Sequence, residues 1–351
     1  MVEFYPWSRK VLNENIHSQQ IGNMPVLDLE LTAQCTGASC IYCDSKPRVG
    51  CAHANEIDWT LLYNIMMQSQ AIGLKWVYTC GLGEPMEDGK FWDLLDFIKR
   101  NDINLSMFTN GVFIKDINIA RRLKDSNVHI ILKLDTFDEK KFDRVLNIPG
   151  TAKKVYAANE FLLSAGYGSH DGQYTDLAYS IVPTIFSLDG IPEVIDFAAK
   201  YGVFASIGEL ENAGNVYTKG IKDIINVAPD ELLKLKNYAD AYAGGIYKRP
   251  ICSAILTGLH IDNLGDCIVD RKSGLNCKWF LLNEPDTYYI GNVKNETVEN
   301  LLKKVNAYRK EQFEQNKKLF SEYRQGKFVF GGCGGNIQEV FELAFKLNEM
   351  E

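Results

Sequence analysis

Short apolar runs of strand length recur along the first two thirds of the chain, and patterns of helical period separate them. Val26 to Leu31 alternates apolar and acidic residues and reads as a strand. Lys75 to Thr79, Leu105 to Phe108, His129 to Leu134, Leu177 to Val182 and Val203 to Ile207 read as five more. Helical patterns fill the intervals, among them Trp59 to Ile72, Phe91 to Lys99 and Pro192 to Tyr201. Six strands alternating with helices predict an α/β fold with a parallel sheet. At roughly 180 residues the stretch is short for an eight-stranded barrel, so an open or partial barrel of six strand–helix units is the expected architecture.

Beyond about residue 210 the pattern changes. Pro229 to Tyr242 reads as a helix, and Ala254 to Ile261 as a strand. Asp262-Asn263-Leu264-Gly265 then has the composition of a turn, with Cys267 to Val269 as the returning strand of a hairpin. The charged stretch from Glu296 to Arg324 is helical by composition, and its Lys303 to Lys318 portion reads as a solvated face. A boundary falls between 210 and 250, with no proline- or glycine-rich linker to mark it. The expected division is an N-terminal extension (1–24), a barrel (25–225) and a smaller C-terminal region (226–351).

Composition narrows the classes. The 351 residues are 46% hydrophobic and 24% charged, enough apolar surface for a packed core. No run of 18 apolar residues suggests a membrane span, and Met1 to Lys10 lacks the pattern of a secretory signal. With 38 basic against 45 acidic residues the net charge is -7, which argues against a nucleic-acid binder. A cytoplasmic chain with reduced thiols is expected.

Nine cysteines then carry the chemistry. Cys35, Cys40, Cys43, Cys51 and Cys80 lie in the first quarter, and Cys252, Cys267, Cys277 and Cys333 in the last third. That gap reads as two sites. Cys35-Thr36-Gly37-Ala38-Ser39-Cys40-Ile41-Tyr42-Cys43 follows the first strand, where the loops of an α/β barrel form its functional face. Three thiolates on a cubane iron–sulfur cluster leave one iron open to a ligand, whereas four close it. Spacing alone also admits a zinc site completed by His53 or Cys51. The second strand leads into Cys80-Gly81-Leu82-Gly83-Glu84-Pro85, where glycines allow close backbone approach and Glu84 offers a carboxylate to a cation or amine.

In these motifs the chain resembles the radical S-adenosylmethionine (radical SAM) enzymes. Their cluster loop usually reads C-x3-C-x2-C with an aromatic before the last cysteine. This chain has C-x4-C-x2-C, with Tyr42 in the aromatic place. Gly81-Leu82-Gly83-Glu84-Pro85 matches the family's GGE-type motif, Thr109-Asn110-Gly111 its strand-three motif, and Lys133-Leu134-Asp135 its strand-four pattern. The resemblance covers residues 25 to about 210 and implies a partial (β/α)6 barrel. It implies that Cys35, Cys40 and Cys43 hold a [4Fe–4S] cluster and that Gly81, Gly83, Glu84, Asn110 and Tyr42 bind S-adenosylmethionine (AdoMet). It further implies reductive cleavage of AdoMet, a 5′-deoxyadenosyl radical and abstraction of a substrate hydrogen. Ser180 is a candidate for the ribose, or a serine bonded to backbone. Asp135, Glu209 and Glu211 end strands four and six and are candidates for substrate contact, or members of acidic loops. Cys80 and Cys51 are candidate hydrogen-atom donors, or packed thiols.

Cys252, Cys267, Cys277 and Cys333 number four, the count for a closed cluster, and their spacing is too irregular for a zinc ribbon. Buried thiols or a zinc site are the alternatives. With the hairpin and Tyr289-Ile290-Gly291-Asn292-Val293, they resemble the C-terminal SPASM/twitch extension of radical SAM proteins. That resemblance implies a second, auxiliary [4Fe–4S] cluster, with Cys277 departing from the usual placement. SPASM/twitch relatives often modify peptide or protein side chains by crosslinking, epimerisation or oxidation, and that is the leading functional expectation. Radical dehydrogenation or isomerisation of a sugar- or cyclitol-type metabolite is the alternative, and a zinc-binding structural protein the remote one. The 34 residues before Cys35 are too few for a fused peptide-recognition domain of about 80 residues. A reducing partner such as flavodoxin or ferredoxin is expected.

Overall fold

The computed structural model of the protein describes residues 2–43, 55–79, 83–169, 172–208, 210, 215–216, 219–242, 258–270 and 287–324. Its strands are β1 (Glu3–Phe4), β2 (Val26–Leu29), β3 (Trp76–Thr79), β4 (Asn104–Thr109), β5 (Val128–Lys133), β6 (Tyr174–Thr175), β7 (Leu177–Ile181), β8 (Phe204–Ile207), β9 (Gly258–Ile261), β10 (Asp266–Asp270) and β11 (Thr287–Asn292). The helices are α1 (Arg9–Gln20), α2 (Trp59–Ala71), α3 (Phe91–Arg100), α4 (Ile117–Lys124), α5 (Glu139–Leu146), α6 (Thr151–Ser164), α7 (Ile191–Tyr201), α8 (Lys222–Ile225), α9 (Pro229–Tyr242) and α10 (Val298–Arg324). The six expected barrel strands form within one to two residues of their predicted ends. The fold is α/β with a mainly parallel sheet.

Two compact units make up the chain. One comprises 1–6, 31–54 and 81–247, the other 7–30, 55–80 and 248–351. In the first, β4, β5, β7 and β8 lie side by side, all parallel. Helices start on side-chain caps. Asp116 accepts from Asn118 and Ile119 at the head of α4, and Asp138 from Lys141 at the head of α5. Gly202, at φ +62°, ends α7 in the left-handed conformation that glycine tolerates best. Leu105, Met107, Ile130, Leu132, Leu177 and Tyr179 are fully buried, as parallel strands covered on both faces require. The two-residue β1 and β6 pair in parallel and were not foreseen, because two residues carry no readable period.

In the second unit β2 pairs in parallel with β3 and with β9, while β10 runs antiparallel between β9 and β11. The expected hairpin is present. Asp262 closes its turn by accepting from the amides of Leu264 and Asp266 at 2.9 Å each. Helix α10 buries Leu301 and Val305, and its first amide, Val298, donates to Gln68 of α2 at 3.0 Å.

The acidic residues of the Val26 to Leu31 alternation are buried, Asp28 and Glu30 being 1% and 4% exposed. Their neighbour is His260, which the linear sequence shows as isolated. The β2–β9 register sets Asp28 opposite it, and its Nδ1 lies 3.3 Å from Asp28 Oδ2. His129 is likewise buried, packed against the Tyr5 ring, with its Nε2 3.4 Å from Asn104 Oδ1. Among the described residues no helix is long and apolar enough to cross a membrane.

Candidate active site at the cysteine loop

The cysteine loop belongs to the first unit and leaves the end of β2. It is pinned by its backbone. The amides of Ser39 and Ile41 donate to the carbonyls of Leu146 and Val145, at 2.8 and 3.0 Å. Those carbonyls end α5 and have no acceptor role inside the helix, so the loop caps it. On its other side Asn215 donates its side-chain amide to Cys40 O and its backbone amide to Cys43 O, both at 2.9 Å. Thr36 N donates to Glu87 Oε2 at 2.8 Å. Cys35, Cys40 and Cys43 form no disulfide among the described residues, and all three are partly exposed. They lie close enough to disfavour one another's ionisation, and with loss of hydration as the larger cause the Cys35 and Cys40 thiols are pushed up to about 12.

The next loop is built around Glu84, 1% exposed. Its carboxylate accepts from Thr109 Oγ1 at 2.7 Å, Asn110 N at 2.8 Å and Met86 N at 3.4 Å. Burial pushes its pKa up to about 7, a rise those three donors hold in check. Gly83 lies against the segment between β2 and the cysteines. At φ +70°, a Cβ there would stand 2.2 Å from Thr32 O and 2.6 Å from Gln34 O, so only glycine fits. Glu84 N donates to Gln34 O at 2.6 Å, binding the two loops together. Asn110 completes the link, its side-chain amide 3.6 Å from Cys35 Sγ.

A third group holds Tyr42. Its hydroxyl donates to Asp135 Oδ2 at 2.9 Å, and Lys133 Nζ lies 4.8 Å from its ring centroid. Asp135 is fully buried, and its other oxygen accepts from Lys133 Nζ and Val182 N. Lys133 also donates to the carbonyl of Ser180 on the neighbouring strand. Burial, then the Asp135 charge, hold the Tyr42 hydroxyl well above its usual range, so it remains a donor.

Residues 29–175 match the radical SAM superfamily. Residues 29–175 form a radical SAM domain. The mycofactocin maturase MftC of Mycolicibacterium smegmatis is 28% identical over 188 residues, covering 54% of this chain and 45% of that protein. The chain thus spans about half the length of this relative. The crystal structure of Streptococcus suis SuiB bound to S-adenosylmethionine superimposes with a TM-score of 0.58 at 18% identity, over 80% of this chain and 66% of that one. SuiB bound to its precursor peptide SuiA gives 0.53 at 17% identity, over 84% and 67%. These likenesses establish the fold.

A radical SAM domain implies a [4Fe–4S] cluster and AdoMet. The residues present fit them. Three thiols in a nine-residue loop, with an amide donor on one sulfur, are the donor set of a cluster that leaves one iron unligated by protein, although among the described residues they are not drawn together into a closed metal site. The raised thiol pKa values express the cost of buried thiolates without a cation, and a bound cationic centre reverses that cost.

Of the other expected site residues, Gly83, Glu84 and Asn110 meet at the cysteine loop, and Ser180 lies beside Lys133 in the strand register. Cys51, Cys80, Gly81, Glu209, Glu211, Cys252, Cys277 and Cys333 lie outside the described residues. Cys267 sits in β10, fully buried, with its thiol also pushed up to about 12 by burial. Four anchoring residues went unnoticed as site residues in the sequence: Thr109, Lys133, Glu87 and Asn215. Thr109 and Lys133 stand inside motifs that the family resemblance picks out. Glu87 and Asn215 carry no local signal, since their partners are 51 and 175 residues away.

Proposed function

We propose that the protein is a radical SAM enzyme that abstracts a hydrogen atom from a peptide or protein side chain. The observation that carries this is the joining of the three-cysteine loop to the Glu84 carboxylate through Asn110, with the glycine contact at Gly83 locking the two loops in place. Cys35, Cys40 and Cys43 would hold the cluster. Glu84 and the backbone at Gly83 would receive the amino group of AdoMet, and Tyr42 would sit near the adenine. When bound, cluster and AdoMet would supply a 5′-deoxyadenosyl radical, with methionine as the other product, for each electron received from the reducing partner. The chain's own part is to orient AdoMet and to exclude water from so reactive a species. Asp135 and Lys133 hold Tyr42 in one orientation.

The peptide as substrate is supported by the relatives. One is named a maturase, and the other was crystallised with a precursor peptide. Cys267, with Cys252, Cys277 and Cys333, is proposed to hold an auxiliary [4Fe–4S] cluster that accepts an electron from the substrate radical. Arg309 lies near Cys267 and opposes the rise of its pKa. A flavodoxin or ferredoxin in the cytoplasm would reduce the first cluster. The residue divisions 1–24, 25–225 and 226–351 are proposed to separate extension, barrel and auxiliary region.

The test is anaerobic reconstitution followed by an iron count and assay for 5′-deoxyadenosine with dithionite. About seven to eight iron atoms per chain are expected for two cubanes. Cys40→Ala should lower the count by about four and abolish AdoMet cleavage. A colourless protein that retains zinc and never cleaves AdoMet overturns the proposal.

A further inference from the structure

The first unit carries a cleft of about 690 Å³, lined by none of the cysteines, between α5, the start of α7 with the loop before it, and α9. That is the size of a ligand site. Its apolar surface includes Ile185, Leu188 and Leu235, and Ile185 is 51% exposed. Its rim is charged. Lys141 pairs with Asp189, and Lys234 with Glu231 at 2.6 Å. Arg144 is the lining cation with no carboxylate partner among the described residues. Its guanidinium carbon lies 3.7 Å from the centroid of the Phe186 ring, a cation–π contact.

The cleft is coupled to the candidate active site by the backbone. Helix α5, which supplies Lys141 and Arg144, is the helix whose last two carbonyls hold Ser39 and Ile41 of the cysteine loop. Ile185 and Phe186 follow β7, whose end supplies the Val182 amide that fixes Asp135. A chain lying in this cleft is therefore bound at the end of the strands where the reaction would occur.

We infer that this cleft docks a recognition segment of the substrate peptide, one that sets a side-chain carboxylate (Asp or Glu) against Arg144 and its apolar neighbours against Ile185 and Leu235. This deepens the proposed function and rests on its peptide reading. Two of the three lining cations are neutralised within the protein, and the third is left presented on an aromatic platform. Aromatic residues and arginine are enriched at the cores of protein interfaces.

The experiment is a selection of random 12-residue displayed peptides against the reconstituted full chain, repeated on Arg144→Glu and Ile185→Asp. Selected peptides should carry Asp or Glu flanked by Leu, Ile, Val or Phe. Their affinity should fall at least about tenfold on either variant, the size of a hot-spot loss. Selection on Arg144→Glu should instead enrich Lys or Arg at the acidic position. Peptide-free AdoMet cleavage by both variants should equal that of the parent, showing that they fold. Peptides that bind parent and variants equally overturn the docking cleft and leave the peptide reading standing. Failure to enrich any peptide, with AdoMet cleavage intact, overturns both.

Discussion

Replacing Glu84 in two ways separates what its charge does from what its oxygens hold. Glu84→Ala strips the acceptor from Thr109 Oγ1, Asn110 N and Met86 N in a site with almost no solvent access. The hydroxyl can turn elsewhere and the Met86 bond is long, so the firm loss is the Asn110 amide. An orphaned buried donor costs about 1–3 kcal/mol. The damage then spreads, because Asn110 also donates its side-chain amide to Cys35 Sγ. Glu84→Gln behaves differently. Its carbonyl can accept from Asn110 N, and its amide can donate to Thr109 Oγ1. It also removes a carboxylate whose pKa burial lifts from 4.5 to about 7, a burden of roughly 3 kcal/mol at alkaline pH. The apo Gln variant should therefore be at least as stable as the parent and should load iron normally. It should nonetheless bind AdoMet about ten- to hundredfold more weakly, since a charge-assisted bond to the amino group is worth about 1.5–3 kcal/mol. Glu84→Ala should lose both iron and AdoMet. The assay is anaerobic reconstitution, an iron count and equilibrium dialysis with labelled AdoMet. If the Ala variant keeps its iron, the Glu84–Asn110–Cys35 linkage is not what holds the cluster loop. If the Gln variant binds AdoMet as tightly as the parent, the carboxylate does not recognise the amine.

Gly83→Ala places a methyl 2.2 Å from Thr32 O at φ +70° and should separate the two loops. The variant should fold but bind AdoMet at least about tenfold more weakly, and unchanged dialysis curves would contradict the contact. Asn215→Ala removes the 2.9 Å bond to Cys40 O, at a cost of about 1 kcal/mol. It should speed iron loss to a chelator without changing the number of irons first bound, and an equal rate would rule out an anchoring role. His129 supplies a pH test. Burial first, and the Lys124 charge second, lower its pKa from 6.5 to about 3. Above pH 6.5 both folded and unfolded states are neutral there. As pH falls through 6.5 toward 3, only the unfolded chain takes up the proton, so stability declines. Between pH 7.5 and 5 the parent should lose about 2 kcal/mol more than His129→Gln in urea unfolding of the apo protein. Parallel pH dependences would refute the buried neutral imidazole.

Much of this protein was readable before its structure. Strand and helix positions follow from periods of two and 3.6 that short stretches carry in full, so β2 to β5, β7, β8 and α9 emerged with nearly correct ends. Motif residues were readable too, because the loops after successive strands are contiguous in sequence, as with Cys35 to Cys43 and Gly83-Glu84. Three kinds of fact needed the folded chain. Asp28, Glu30 and His260 show the first: alternation states which residues share a face of a strand, and not whether that face meets water or a buried imidazole. Glu84 shows the second. Its residue type announces a carboxylate, but only the fold shows that the carboxylate first holds its own chain. The third is partnership at a distance. The loop holding three cysteines is secured by the end of α5 and by Asn215, and the cleft beside α5 assembles Arg144, Phe186 and Leu235 from three separate segments. Local sequence determines conformation over a few residues, whereas the pairing of remote segments is decided by packing and by the need of each buried polar group for a partner.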